Sequence, residues 1–391
     1  MPRNIAKKSY SPLLLEILYQ ATFKRKMKMK KVGIITYHFA KNYGAVLQCY
    51  ALQTYLSQKG YEVTVFDFVS EKQRKNNDVV KHGCSVKTAV ANICLLPFAH
   101  SIRKKYARFV TFCQNNLQLT QHFSTVESLQ KYIAENKYNV IISGSDQVLN
   151  PNIDDFEMAF LFPFQTTAKK IAYAASTGNA SLDDIQKIQH YLDDFVKISI
   201  REQKDIGKFD AKTAERLSVV CDPVMLLRAN AWNNMLEHPS GKPYLICYFL
   251  HKKMFRKEFA IAQKIAKERG LELKVINARF GLNSFRKGTI FDAGPEEFVN
   301  LIANASYVCT DSFHGTLFSL VFHKQFSSLD TRQNQHDTRK KGLLESVGAT
   351  AAYQNIEDPL KICSTLDYKE IDCRMEETRK SAAKFLEILD E

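Results

Sequence analysis

The stretch KVGIITYHFAKNYGAVLQCYALQTYLSQKGYEVTVFD, residues 31–67, decides the fold. Residues 32–37 are apolar and β-branched and read as a short buried strand. A polar loop, residues 38–43, follows, and Gly44 opens a helix that runs to about Gln58. Leu47, Ala51 and Tyr55 recur four apart on one face of that helix, and Gly60 stands where a C-terminal stop is expected. The next strand, residues 62–66, ends in Asp67. A strand, a crossover helix and a second strand make the β-α-β unit from which parallel sheets are built.

The same pattern continues outward. Residues 71–137 are mixed, basic and weakly periodic, and read as helices and loops around the first sheet. Strand signals return at 139–143, 171–175, 198–200 and 218–221, with Ser181 and Asp184 starting a helix in the segment that reaches Val196. A second series begins after Pro239: strands at 244–250, 272–276 and 306–310, and helices at 255–268, at 295–303 and from about His314. These elements predict an α/β chain of two facing Rossmann-like domains, residues 29–228 and 240–374, with 375–391 a last helix crossing back to the first. A length of 391 residues is ample for two domains.

The excess of 55 basic over 41 acidic residues gives a net charge of +14. Half of it is local, because the leader of residues 1–28 and its flank carry eight Lys or Arg up to Lys30 against the single acid Glu16. This leader reads as lying outside the fold, which leaves Met1, Met27 or Met29 as the start. Its apolar run, residues 13–18, is broken by Glu16 and falls far short of the roughly 20 apolar residues that span a bilayer. The chain therefore reads as cytoplasmic, with at most peripheral contact at the inner face of the membrane. Nine cysteines, an odd number without a C-x-x-C pair, argue against a disulfide framework and against a zinc or iron–sulfur site.

Several motifs fall at strand ends, where open α/β sheets bind ligands. DSFHG, residues 311–315, joins a buried strand to a helix start, whose free N–H groups attract anions. There Ser312 can cap the helix, Gly315 can admit a ligand close to the backbone, and His314 offers the one type of side chain whose unperturbed pKa lies near neutrality. A Ser-capped helix with a hydrogen-bonded histidine is an equally good account of these residues. GSDQ, residues 144–147, would project Ser145, Asp146 and Gln147 into the same cleft, or form an Asp-capped turn. Arg201, after Ser199, can grip a phosphate or carboxylate in bidentate fashion, or simply pair with Glu202. Arg332, His336, Arg339 and Lys340 form a basic segment near the cleft. The chain has neither G-x-G-x-x-G nor G-x-x-x-x-G-K-[ST], so dinucleotide and P-loop chemistry recede.

NYGAVLQCYALQTYL (42–56), GSDQVLNP (144–151), YAAS (173–176), SIRE (199–202), CDPVMLL (221–227) and TDSFHGTLFSLVF (310–322) together resemble the polysaccharide pyruvyl transferase family, in the family's order. The resemblance implies a GT-B-like fold with an acceptor-side first domain and a donor-side second domain. It implies phosphoenolpyruvate as co-substrate and a hexose-containing saccharide as acceptor, soluble or lipid-linked, giving a ketal and phosphate. Carried onto this chain, it makes His314 the acid–base residue, with Asp311 or Asp146 orienting it or sharing the task. Donor binding falls to Arg201, Ser312, Gly315 and Arg339, and acceptor binding to Asn42, Tyr43, Gln48, Ser145 and Gln147. Some members carry an RLHG pattern where this chain has Ser312 and Phe313 before His314 and Gly315, so another cation must replace that arginine. The scheme needs no metal and no further cofactor. A nucleotide-sugar glycosyltransferase on the same architecture and a non-catalytic member of the family are the alternatives. No nucleic-acid module is recognisable, so specific nucleic acid is not an expected partner.

Overall fold

The computed structural model describes residues 29–77, 92–93, 95–238, 241–251, 253–278, 286–330, 338–356 and 365–391. The basic leader, Arg332, His336, Cys84, Cys94 and Cys363 lie outside the described residues. The first sheet contains β1 (Lys31–Ile35), β2 (Glu62–Phe68), β3 (Leu119–Phe123), β4 (Val140–Ser143), β5 (Lys169–Ala175), β6 (Phe195–Ile200) and β7 (Leu217–Val219). Its order is β3-β2-β1-β4-β5-β6-β7 and every pairing is parallel. The second contains β8 (Tyr244–Tyr248), β9 (Glu272–Ile276), β10 (Thr289–Ile290), β11 (Tyr307–Thr310), β12 (Phe326–Asp330) and β13 (Tyr353–Asn355). Its order, β10-β9-β8-β11-β12-β13, is also parallel throughout. In each sheet the strand order reverses beside the first strand, at β1/β4 and at β8/β11. Those reversals open the crevices in which such sheets take ligands.

Helix α1 (Tyr43–Gln58) starts where Asn42 accepts hydrogen bonds from the N–H groups of Gly44 and Ala45. Most of its residues are buried, because it packs on β2 on one side and on the one-turn helix Pro223–Leu226 on another. That double burial explains why its apolar residues spread around the helix rather than forming a single stripe. The two domains share one apolar core, in which Val46, Leu47 and Trp232 from the first half meet Phe298 and Phe318 from the second. Tyr43 stacks on Phe298 at 4.4 Å between ring centroids and donates its hydroxyl hydrogen to the Ala293 carbonyl at 2.7 Å. Helix α2 (Ala99–Asn116) adds polar clasps to the second domain: Lys105 Nζ donates to the Asn277 carbonyl and Arg108 to the Asp292 carbonyl, each at 2.8 Å.

In the second domain α3 (Phe255–Glu268), α4 (Pro295–Ala303), α5 (Phe313–Val321) and α6 (Thr338–Ser346) surround the sheet. The last helix, α7 (Tyr368–Leu386), returns to the first domain. Arg379 Nε donates to the Met225 carbonyl at 2.6 Å, and Phe385 lies 6.1 Å from the Tyr173 ring. It begins at Tyr368 rather than near Met375, because Asp367 caps it by accepting the Lys369 N–H.

Other differences from the sequence reading concern sheet edges. The segment 71–137 hides β3, whose sequence LTQHF is short, polar and largely unburied. Such an edge strand lacks the apolar run that marks a central one. The helix after Ser181 stops at Gln189, and Phe195 and Val196 belong to β6. No helix of the described residues is long and apolar enough to cross a membrane.

Candidate active site

Strand β11 delivers the DSFHG turn to the boundary between the domains. Ser312 caps α5, its hydroxyl oxygen accepting the Gly315 N–H at 3.3 Å. Gly315 is glycine for a packing reason: a Cβ there would stand 2.4 Å from Thr310 Oγ1. Ser312 thus serves as the helix cap, and Gly315 permits the close approach of α5 to β11.

The His314 side chain leaves the second domain and lies against the first. A Cβ on Gly44, in the first turn of α1, would stand 2.0 Å from His314 Nδ1, so glycine there leaves room for the imidazole. On the other side His314 Nε2 is 3.5 Å from Asp222 Oδ2, and the ring retains 11% exposure. At that distance the contact is too long for a full hydrogen bond, and Nε2 has no hydrogen-bond partner among the described residues.

Asp222 is the carboxylate that sequence reasoning missed as a site residue. It follows β7, caps Pro223–Leu226 by accepting the Val224 N–H at 3.0 Å, and receives Arg201 Nη1 at 2.7 Å. Burial works against its charge, but His314 and Arg201 hold its carboxyl down at about 2. CDPVMLL was the only available signal, an Asp-Pro helix start just beyond a strand.

Arg201 is almost wholly enclosed. Its Nε donates to Glu202 at 3.0 Å, Nη2 lies 3.9 Å from Asp146, and the Phe313 ring covers the guanidinium at 4.4 Å. Three carboxylates around one guanidinium make this cluster acidic. Of the two sequence readings of Arg201 the structure shows the pairing with Glu202, and the same guanidinium also holds Asp222 and Asp146. Positive groups stand further out. A cleft of about 520 Å³ opens beside Arg201, Asp222 and Phe313, and Lys204, Arg339 and Lys341 line it.

The remaining expected residues divide clearly. Asp311 does not meet His314; its oxygens accept the Leu250 N–H, the His251 N–H and His251 Nδ1 at 2.7, 2.8 and 2.6 Å. Lys340 is buried and donates to the carbonyls of Asp311 and Leu329, so it does not reach the cleft. Tyr43 belongs to the interdomain core and Asn42 to the α1 cap. Gln48 is fully buried, bonding Thr36 and accepting the Ser145 N–H, while the Ser145 hydroxyl donates to the Ala174 carbonyl. Gln147 accepts a hydrogen bond from Asn150. These residues shape the floor under Asp146, which lies at positive φ (70°); as drawn by the structure, Gln48, Ser145 and Tyr43 offer no free surface to an acceptor.

Gly44 gives a direct test of this packing. Gly44→Ala is expected to push the imidazole off Asp222 and lower turnover at least tenfold. Added to His314→Ala, it should cost turnover little more, since the ring it displaces is gone. Steady-state rates of the two single variants and the double variant check this.

Two parallel Rossmann-like sheets facing across a cleft define a two-domain α/β fold of the GT-B type. Solved structures agree. A UDP-N-acetylglucosamine 2-epimerase superposes with a TM-score of 0.52 at 12% identity, covering 93% of this chain and 95% of that one. A putative UDP-N-acetylglucosamine 2-epimerase from Listeria monocytogenes gives 0.50 at 11% identity, covering 91% and 90%. At such identities the likeness concerns the fold alone. A sequence model of the polysaccharide pyruvyl transferase family matches residues 42–333, more than half of the chain, and the chain belongs to that family. No curated protein matches its sequence.

Proposed function

We propose that this protein transfers the pyruvyl group of phosphoenolpyruvate to two hydroxyls of a hexose in a polysaccharide or its precursor, forming a ketal and releasing phosphate. The observation that carries this reading is the His314–Asp222 pair at the domain boundary, beside a cleft rimmed by Lys204, Arg339 and Lys341. Phosphoenolpyruvate carries close to three negative charges at neutral pH, and Lys204, Arg339 and Lys341 bring positive charge to a cleft that Glu202, Asp222 and Glu345 also line. Arg339, on α6, is the group best placed to serve where other members carry arginine at the position of Ser312.

In this scheme the buried Asp222 carboxylate, 3.5 Å from Nε2, stabilises the protonated imidazole by its charge. The imidazole then exchanges the proton. One sugar hydroxyl gives up its hydrogen as its oxygen bonds to the central carbon, and a proton is delivered to the methylene carbon, which becomes a methyl group. The second hydroxyl bonds to the same carbon, the C–O bond to phosphate breaks, and its proton leaves with the phosphate. Such acid–base assistance is worth about 10²–10⁴-fold.

The test is incubation of the purified protein with phosphoenolpyruvate and a panel of hexosides, following phosphate release and product mass. Phosphate release with a product heavier by a pyruvyl ketal is the expected result. Turnover of UDP-sugars alone would overturn the reading.

A further inference from the structure

Glu258 of α3 is fully buried, and neither carboxylate oxygen has a hydrogen-bond partner among the described residues. A buried acid in that position is costly unless a proton or a cation neutralises it. It faces Asp311, itself 2% exposed, and His251 in the loop after β8. One ligand atom from each of the three lies within 4.8 Å of the other two. Lys340 supplies one positive charge nearby, with hydrogen bonds to the carbonyls of Asp311 and Leu329. If both carboxylates were ionised they would outnumber that ammonium among the described residues, so the pair needs a proton or a further cation. Burial first, and then the facing Asp311 carboxylate, push the Glu258 carboxyl well above the ordinary carboxylate range.

We propose that His251 Nδ1, Glu258 and Asp311 form a binding site for a divalent transition cation of the zinc class, at the C-terminal ends of β8 and β11. One imidazole with two carboxylates suits such an ion better than magnesium or calcium, which take oxygen ligands alone. Bonds of about 2.0–2.2 Å in tetrahedral geometry put ligand atoms about 3.3–3.6 Å apart, so the three groups, now within 4.8 Å of one another, need shifts of about an ångström. The main one is to part His251 Nδ1 from Asp311 Oδ2, now 2.6 Å away. The His251 side chain is 39% exposed, which provides the entry path and leaves a fourth position to water. Its spacing in sequence, from 251 to 258 to 311, matches no metal motif, so only the fold brings it together. The bound ion would tie the β8 loop to the turn that carries His314. The inference stands on this cluster alone and does not depend on the pyruvyl-transfer reading.

The test uses the full chain, stripped with chelator, dialysed and titrated with Co²⁺, then with Zn²⁺ in competition. One equivalent of Co²⁺ should give the visible bands of a tetrahedral site without thiolate charge-transfer bands, and Zn²⁺ should displace it and raise Tm. Glu258→Gln and His251→Ala should each weaken binding by at least the ~10–100-fold that even outer-shell losses cost. Thiolate bands, equal binding by both variants, or the absence of saturable Co²⁺ binding by the native chain would each overturn the proposal. The last result, with Glu258→Gln more stable than the native chain at neutral pH, would assign the pair to a shared proton instead. His251 is partly exposed, so its variant keeps the test open if the Glu258 variant fails to fold.

Discussion

On the proposed function, His314→Ala is expected to lower pyruvyl transfer by about 10²–10⁴-fold while leaving Tm close to that of the native chain. The imidazole is the group at the domain boundary suited to moving protons near neutral pH, and its loss removes that assistance without unpacking α5, whose cap and helix–strand contacts rest on Ser312, Gly315 and Thr310. Asp222→Asn should lose less activity than His314→Ala. The double variant should lose no more than His314→Ala alone, because the carboxylate acts through the ring. Phosphate release under saturating phosphoenolpyruvate, with far-UV circular dichroism as the control for folding, measures all three. Equal rates for His314→Ala and the native chain would remove His314 from the chemistry.

Arg201→Met costs about 3–5 kcal/mol of stability, the usual penalty for stripping the partner from buried charges. Asp222, Glu202 and Asp146 would then face one another beside the cleft without their shared guanidinium. The loss should depend on pH. In the native protein the Asp222 carboxyl is held at about 2, below the ~3.9 of an unfolded chain, so its contribution is present above pH ~4 and fades as pH falls through 2. That difference is worth about 2.6 kcal/mol. In the variant, burial and the facing carboxylates push Asp222 up from its native value against the remaining pull of His314, so the penalty of the substitution shrinks as pH is lowered from 7 to 5. Arg201→Lys, which keeps the charge but loses the fork that reaches Glu202 and Asp222 together, should fall between the two. Urea midpoints at pH 5 and pH 7 test these signs. A midpoint for Arg201→Met equal to that of the native chain at both would mean the cluster holds nothing together.

Much of the fold is written locally. Residues 272–276, 255–268 and 295–303 form the elements their patterns predict, because a parallel strand and its crossover helix carry apolar periodicity, with Pro295 opening one helix and Gly270 following the other. The edges are less legible: β3 and β13 are short and half-solvated, so nothing in LTQHF or YQN demands a strand until a neighbour pairs with it. Within the site, position at a strand end singled out His314, Asp146 and Arg201, and the structure gathers all three, with Asp222, at one boundary. It could not apportion the acids. Asp311 is three residues from His314 yet points to His251, whereas Asp222 is 92 positions away and touches the ring.

The sequence by itself determined two parallel α/β domains, the family, and the histidine at the end of a buried strand, since apolar period, caps and motif order are properties of neighbouring residues. Tertiary structure alone decided which carboxylate faces that histidine, that Arg201 is spent on three acids, that Gly44 and Gly315 are kept small by close packing, and that His251, Glu258 and Asp311 converge. The reason is physical: charge pairing, desolvation and steric fit depend on distances of a few ångströms between atoms far apart in the chain, and local pattern does not encode those distances.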